Sequence, residues 1–230
     1  MAVPMYECPV NWDRVTLEPD KKSGVIEQCA SGGTPSTRNP SYWDGDIPWL
    51  TPKEISRNDE SLYVSHTERS ITSDGVQGSA AKILAPGTVL LTKRAPVGAV
   101  AINAVPLATN QGFMNFRCGN RLRPAFLAFW LKVNRQYLQQ VANGSTYLEL
   151  YKSDLFEFEL ALPPIPIQDA IVHAISSIQF MTLLGPALEQ STEDHEGMLS
   201  IQEQDRRLRE VRTQLLQQLM SGRLSPRGIS

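Results

Sequence analysis

Cysteine is scarce in this 230-residue sequence, and the few present do not form a pattern. Cys8, Cys29 and Cys118 are odd in number and widely separated, with no Cys-x-x-Cys pair. That argues against a disulfide framework or a thiolate zinc site, and for reduced thiols in a cytoplasm. The histidines, His66, His173 and His195, are equally scattered and lack metal-ligand spacing. Long apolar runs are missing too: stretches such as Val97 to Ile102 are far too short to span a bilayer. No basic region followed by an apolar stretch opens the chain, so a secretory leader is not expected. With 41% hydrophobic and 20% charged residues the composition is that of a folded soluble protein rather than a disordered one. The length allows one sizeable core, or one domain plus an appendage.

One further absence is local. The formal net charge of −2 is unpromising for a nucleic-acid partner, but averaging hides a pattern. Between Asp74 and Glu149 there is no acidic residue, while Lys82, Lys93, Arg94, Arg117, Arg121, Arg123, Lys132 and Arg135 all fall there. A cationic block of this kind suits a phosphate-facing surface, because each neutralised phosphate releases counterions. The same side chains dispersed around a domain would merely be solvated, and charge alone does not choose between the two.

Two compositional regimes meet at Leu162-Pro163-Pro164-Ile165-Pro166. Before it, short apolar runs alternate with turn signals. Ile83-Leu84, Thr88 to Thr92 and Ala99 to Ile102 are separated by Ala85-Pro86-Gly87 and Ala95-Pro96-Val97-Gly98. These read as short strands joined by tight turns. From about Pro124 to Ala142 the apolar residues recur at helical steps. Residues 1–165 therefore read as a mixed α/β domain, and 166–230 as a helical region, an α+β class overall. In the second region a short helix from Gln168 to about Leu183 is expected to stop at Gly185-Pro186. A long helix from Ala187 to about Ser221 follows, with Ile201, Leu208, Val211, Leu215 and Leu219 close to an a/d seam. A lone helix cannot bury such a stripe, so it needs a partner: its own domain or, as the reading favours, a second chain. At about 1.5 Å per residue this arm reaches roughly 50 Å, more than one turn of B-DNA.

Four segments carry the remaining information. The first is Ser31-Gly32-Gly33-Thr34-Pro35-Ser36 followed by Tyr42-Trp43-Asp44-Gly45-Asp46-Ile47-Pro48-Trp49-Leu50-Thr51-Pro52-Lys53-Glu54-Ile55. The second is Pro86-Gly87-Thr88-Val89-Leu90-Leu91-Thr92-Lys93-Arg94-Ala95-Pro96-Val97-Gly98. The third is Ala108-Thr109-Asn110-Gln111-Gly112-Phe113. The fourth joins Asn143-Gly144-Ser145-Thr146 to Leu150-Tyr151-Lys152-Ser153-Asp154-Leu155 and ends in the proline cluster. In this order, with Leu215 to Leu224 at the end, they resemble the specificity subunits of type I restriction–modification systems. The resemblance covers about residues 8–225.

That resemblance implies a DNA target recognition domain followed by a coiled-coil spacer helix. It implies a non-catalytic chain that binds double-stranded DNA and docks methyltransferase subunits, with a restriction subunit in the full complex. It implies no cofactor on this chain, since S-adenosylmethionine belongs to the partner methyltransferase, and no membrane. Typical members carry two recognition domains and two helices, whereas each motif occurs once here. The chain thus looks like a half-length specificity subunit, for which a homodimer reading two matching half-sites is the expectation.

Within this frame Lys93 and Arg94 are candidate DNA contacts at a strand end, arginine for guanine and lysine for phosphate. Asn110 and Gln111 could meet adenine or stabilise a turn. Lys53 and Arg38 are candidate phosphate contacts, and Tyr147 an aromatic beside small donors. Tyr42, Trp43 and Trp49 read as core packing rather than base stacking. Asn39-Pro40-Ser41-Tyr42 resembles the tetrapeptide of amino-methyltransferases, but serine stands third and no glycine-rich nucleotide loop precedes it. Catalysis by this chain is not expected. A free-standing DNA-binding or coiled-coil protein without a methyltransferase partner is the remaining alternative.

Overall fold

The computed structural model describes residues 12–57, 61–94, 96–142 and 149–189, with side chains as far as 177. Its strands are β1 (Asp13–Thr16), β2 (Ile26–Ser31), β3 (Trp43–Leu50), β4 (Tyr63–Val64), β5 (Arg69–Ile71), β6 (Val89–Thr92), β7 (Val100–Asn103), β8 (Ala108–Thr109), β9 (Phe113–Cys118) and β10 (Glu159–Leu162). Its helices are α1 (Pro52–Arg57), α2 (Ser73–Gln77), α3 (Pro124–Val133), α4 (Arg135–Ala142), α5 (Lys152–Phe156) and α6 (Ile165–Glu189), with a 3-10 turn at Pro40–Tyr42. The mixed α/β class read from the sequence holds. Arg14–Leu162 forms one compact unit; Pro163 onward, with α6, belongs to another.

The first unit is organised by two sheets and a strand pair. The larger sheet has the order β2-β9-β6-β7-β4, antiparallel except for the parallel β7–β4 edge. The smaller has the order β5-β3-β8, with β3 antiparallel to β5 and parallel to β8. β1 pairs with β10. Every residue of β6 and β7 is buried, as their continuous apolar runs demand of strands covered on both faces. α3 packs against both and buries Phe126 through Leu131. A cluster of Leu50, Ile55, Leu90, Ala99, Ala101, Leu107 and Phe113 joins the large sheet to β3 and α1. A second cluster, Trp43, Trp49, Ile71, Ala81 and Ala108, belongs to the small sheet. Each fully buried large side chain contributes on the order of 1.5–3 kcal/mol of burial energy, so these clusters carry the domain.

Turn chemistry sets the strand ends. Between β6 and β7, Gly98 takes a φ of +87°, a conformation that costs other residues strain. The buried Thr92 hydroxyl clamps that turn, donating to the Pro96 carbonyl at 2.5 Å and accepting from the Ala99 N–H at 2.9 Å. α1 begins with proline at its first position, and Glu54 reaches back to accept from the Thr51 N–H (2.8 Å) and hydroxyl (2.6 Å). This capping arrangement explains why Thr51-Pro52-Lys53-Glu54 starts a helix.

Three expectations change. The helix anticipated from Pro124 to Ala142 is two helices divided at Asn134. Its side-chain amide and backbone N–H both return to the Trp130 carbonyl, at 2.8 and 3.1 Å, a local competition that turns the chain. Ile83-Leu84 is not a strand; Leu84 makes only an isolated bridge to Leu107. The helix expected to stop at Gly185-Pro186 instead continues to Glu189 as part of α6. A proline removes one N–H and bends a long helix, and helix-forming residues on both sides carry the helix through. Among the described residues no helix is long and apolar enough to cross a membrane. The seam residues Ile201, Leu208, Val211, Leu215 and Leu219 lie outside the described residues.

Asn103 is the buried polar hub of the domain. Its carbonyl accepts from the Thr88 N–H at 2.8 Å, and its amide donates to the carbonyls of Leu84, Ala85 and Val105 at 3.3, 3.0 and 2.9 Å. Replacing it by leucine strands those backbone groups away from water. We expect Asn103→Leu to lower stability by about 2–4 kcal/mol, read as an earlier midpoint in urea denaturation. An unchanged midpoint would refute the assignment.

Candidate nucleic-acid interface

Of the passages the chain makes between the two sheets, two touch each other: β2 to β3 and β8 to β9. The chain leaves the large sheet at Ser31, the end of β2, and reaches the small one at Trp43. It returns from β8 to β9 through the turn Asn110-Gln111-Gly112. Where the two connections cross, the Gly33 N–H donates to the Thr109 carbonyl at 2.9 Å. A Cβ on Gly32 would lie 2.1 Å from that carbonyl oxygen and 2.3 Å from the Asn110 carbonyl oxygen. Only glycine allows two backbones this close. The tryptophans hold the first connection from beneath: Trp49 Nε1 donates to the Gly33 carbonyl at 3.0 Å and Trp43 Nε1 to the Ser36 carbonyl at 3.2 Å. Both indoles are buried and meet edge to face, 5.1 Å between centroids, so they are core residues as anticipated.

Other motif segments gather at the same crossing. The Thr34 hydroxyl donates to Gln111 Oε1 at 2.5 Å. Asn110 Oδ1 accepts from the Gly112 N–H at 2.8 Å, and the Asn110 N–H donates to the Leu50 carbonyl at 3.1 Å. The Lys93 N–H donates to the Gly112 carbonyl and its own carbonyl accepts from the Leu150 N–H, both at 2.8 Å. Gly112 faces the Pro52 ring so closely that a Cβ there would sit 2.8 Å from Pro52 Cγ. Lys152 Nζ donates to the Cys29 carbonyl at 2.8 Å. An open cleft of about 340 Å³ lies between these segments, lined by Ser31, Lys93, Met114, Leu150, Tyr151, Lys152 and Ser153.

The sequence candidates take distinct places. Lys53 is exposed beside Pro52, next to the crossing, and Arg38 is exposed just beyond Ser36. Lys93 and Arg94 are at the crossing, but Glu149 meets both, at 2.6 and 3.8 Å. The carbonyl oxygens of Asn110 and Gln111 are engaged within the protein, and their amide nitrogens are the groups these bonds leave over. Tyr147 and Asn143 to Thr146 lie outside the described residues. The cationic block is thus partly answered by acids from elsewhere in the chain: Glu149 pairs Lys93 and Arg94, and Glu27 pairs Arg117 at 2.9 Å. An acid-free stretch of sequence is not an acid-free surface.

Sequence reasoning passed over Lys152, Ser153 and Ser31, although all three stand in quoted motifs. It also passed over Arg69, whose guanidinium carbon lies 3.7 Å over the Trp43 ring and 5.5 Å from that of Trp49. No spacing connects residue 69 to residue 43. Beneath the cleft, burial pushes the Cys29 thiol up to about 11, slightly offset by Lys152. Burial, aided by Glu27, pushes Cys118 up to about 12. Both are therefore neutral, unreactive thiols near pH 7. Among the described residues no cluster of histidine, cysteine or carboxylate side chains could hold a metal ion.

Comparison with known proteins places this arrangement. Residues 10–183 match the type I restriction modification DNA specificity domain. The chain is 41% identical over 170 residues to the type I restriction enzyme MjaIX specificity subunit of Methanocaldococcus jannaschii, an alignment covering 73% of this chain and 38% of that one. It is 24% identical over 202 residues to the type I restriction enzyme HindI specificity subunit of Haemophilus influenzae, covering 86% and 40%. It shares its fold with the HsdS subunit from Thermoanaerobacter tengcongensis: TM-score 0.59 at 20% identity, over 97% of this chain and 48% of that one. The chain belongs to the type I restriction–modification specificity-domain family. It spans about two fifths of the length of these curated relatives.

The crossing itself is testable. Gly32→Ala sets a methyl group against backbone rather than a yielding side chain. The expected loss is about 1–3 kcal/mol, followed by tryptophan fluorescence in a urea titration. A variant as stable as the parent would show that the close approach is dispensable.

Proposed function

We propose that this chain is a non-catalytic, DNA-reading specificity component of a type I restriction–modification complex. The observation that carries the reading is the convergence of the family's separate motifs on one crossing of backbone in a chain of that family. Loops held by a rigid two-sheet scaffold are where recognition residues are best positioned. Lys53, Arg38, Lys93, Arg94, Asn110, Gln111 and Tyr147 are the proposed DNA contacts. The bound methyltransferase subunit supplies S-adenosylmethionine and the chemistry, a restriction subunit completes the complex, and the assembly acts in the cytoplasm. Two copies of this chain, paired along Ile201, Leu208, Val211, Leu215 and Leu219, each read half of an interrupted site. The near-heptad spacing of those five apolar residues supports that arrangement.

The test is to express the chain with its modification subunit and map adenine methylation across the genome. A symmetric motif interrupted by unread bases is expected, together with two copies of this chain in the native mass of the complex. An asymmetric motif or a single copy rejects the homodimer. Failure to assemble with a methyltransferase favours the free-standing binder.

The Glu149 contacts make a second expectation. If Lys93 and Arg94 face phosphate, their carboxylate partner tempers that attraction. Glu149→Gln should then tighten binding to duplex DNA of any sequence by about three- to tenfold at low salt and steepen the salt dependence. Fluorescence anisotropy across a salt series reads both, and an unchanged slope would place the pair away from the phosphates.

A further inference from the structure

Arg69 is an exposed cation that is built into the domain through an aromatic ring. It stands on β5 opposite Trp49, two residues from Ile71, so Arg69 and Ile71 share one face of the strand. That face holds the buried cluster of Trp43, Trp49 and Ile71. Arg69 therefore lies at the solvent edge of an apolar cluster, where its guanidinium stacks 3.7 Å over the Trp43 ring. Stacking of this kind fixes the plane of a guanidinium without using its N–H groups.

Those N–H groups have no hydrogen-bond or ion-pair partner among the described residues. Two of the nearby carboxylates are committed elsewhere. Glu54 accepts from Thr51 and from the Glu68 N–H, and Glu68 holds Arg57 at 2.7 Å. Asp44 and Asp46, exposed on β3, form no ion pair with Arg69. Lys93, Arg94 and Arg117 each have an acidic partner; Arg69 has an aromatic one instead. The ring that orients it also donates to Ser36, two residues before Arg38 and two after Thr34. The fork thus stands beside the glycine-rich connection and the Gln111 it holds.

We propose that Arg69 is a DNA-contact residue: its guanidinium, oriented on Trp43, offers its free N–H fork to a pair of coplanar acceptors on duplex DNA. The inference rests on the DNA-reading function proposed above. Two acceptor pairs have this chemistry, guanine O6 with N7 and two oxygens of one phosphate. Trp43 and Trp49 act through Arg69 and through the loop carbonyls they hold, and do not stack on bases.

The experiment uses the complex of this chain with its methyltransferase subunit, and a pool of duplexes with a randomised interior. The parent complex selects its preferred duplexes. Arg69→Met, which keeps an unbranched stem over Trp43, and Arg69→Lys, which keeps the charge but not the fork, are then titrated against them. The expected loss for Arg69→Met is about 5- to 150-fold, the range of one bidentate contact. If the acceptor is guanine, Arg69→Lys fails to rescue and preference relaxes at one G position. If it is phosphate, Arg69→Lys rescues in part, and Arg69→Met weakens all duplexes alike with a salt slope lower by about 0.9. Trp43 emission should change on DNA binding in the parent and not in Arg69→Met. Melting curves identify a variant that fails to fold, and the lysine variant then carries the test. A parent complex that binds while both folded variants match it overturns the inference alone. A parent complex that enriches no duplex overturns the functional reading as well.

Discussion

The close crossing of two backbone connections, Gly32-Gly33 over Thr109-Asn110, is the constraint on which the rest of the domain depends. A strand from each sheet runs into that crossing: β2 ends there and β8 leaves through it. Two chains meeting at hydrogen-bond distance need a residue without a side chain on at least one of them. They also need the carbonyls left over to find donors, since buried polar groups without partners are expensive. The tryptophan N–H groups meet the second need at Gly33 and Ser36. The same indoles bring apolar bulk to the small sheet, so one pair of side chains fills the core and holds the loop.

From that constraint the arrangement of the recognition candidates follows. Lys93 is tied to Gly112 through backbone, Lys53 follows the proline that packs on Gly112, and Gln111 is tied to Thr34. Side chains from four separate stretches of sequence therefore share one scaffold. Their relative positions are set by backbone and side-chain hydrogen bonds and by the packing of Pro52 on Gly112. A surface that must discriminate between base edges benefits from such rigidity, because the bonds it makes are directional. The charges are balanced in the same place. Glu149 and Glu27 neutralise part of the cationic block, which limits the sequence-independent attraction that any basic surface has for phosphate. Against that background a cation held by an aromatic ring, as Arg69 is, stands out as an unneutralised donor.

Much of the fold was legible in the chain. Continuous apolar runs bounded by Pro-Gly and Val-Gly turns predicted β6 and β7, because strands buried on both faces have little choice of composition. The helical spacing after Pro124 was equally plain. Asn134 was not recognised as a divider, since its side-chain bond to Trp130 forms only once the turn exists. Gly185-Pro186 misled in the other direction, because local propensity for a break was weaker than the tendency of a long helix to continue. The very short strands β4, β5 and β8 carry no periodicity long enough to read.

By itself the sequence determined the class of the domain, the order of its motifs and, through them, its family. These are properties of composition, spacing and order, which survive without coordinates. Only the tertiary structure decided which charges meet acids, which motif side chains are spent on holding turns, and which cation is left stacked on an indole. Glu149 stands more than fifty positions from Lys93, and Arg69 more than twenty from Trp43, so no local pattern links either pair. Electrostatic and stacking partners are chosen by proximity in space, and proximity here is created by the glycine crossing that folds distant segments onto one another.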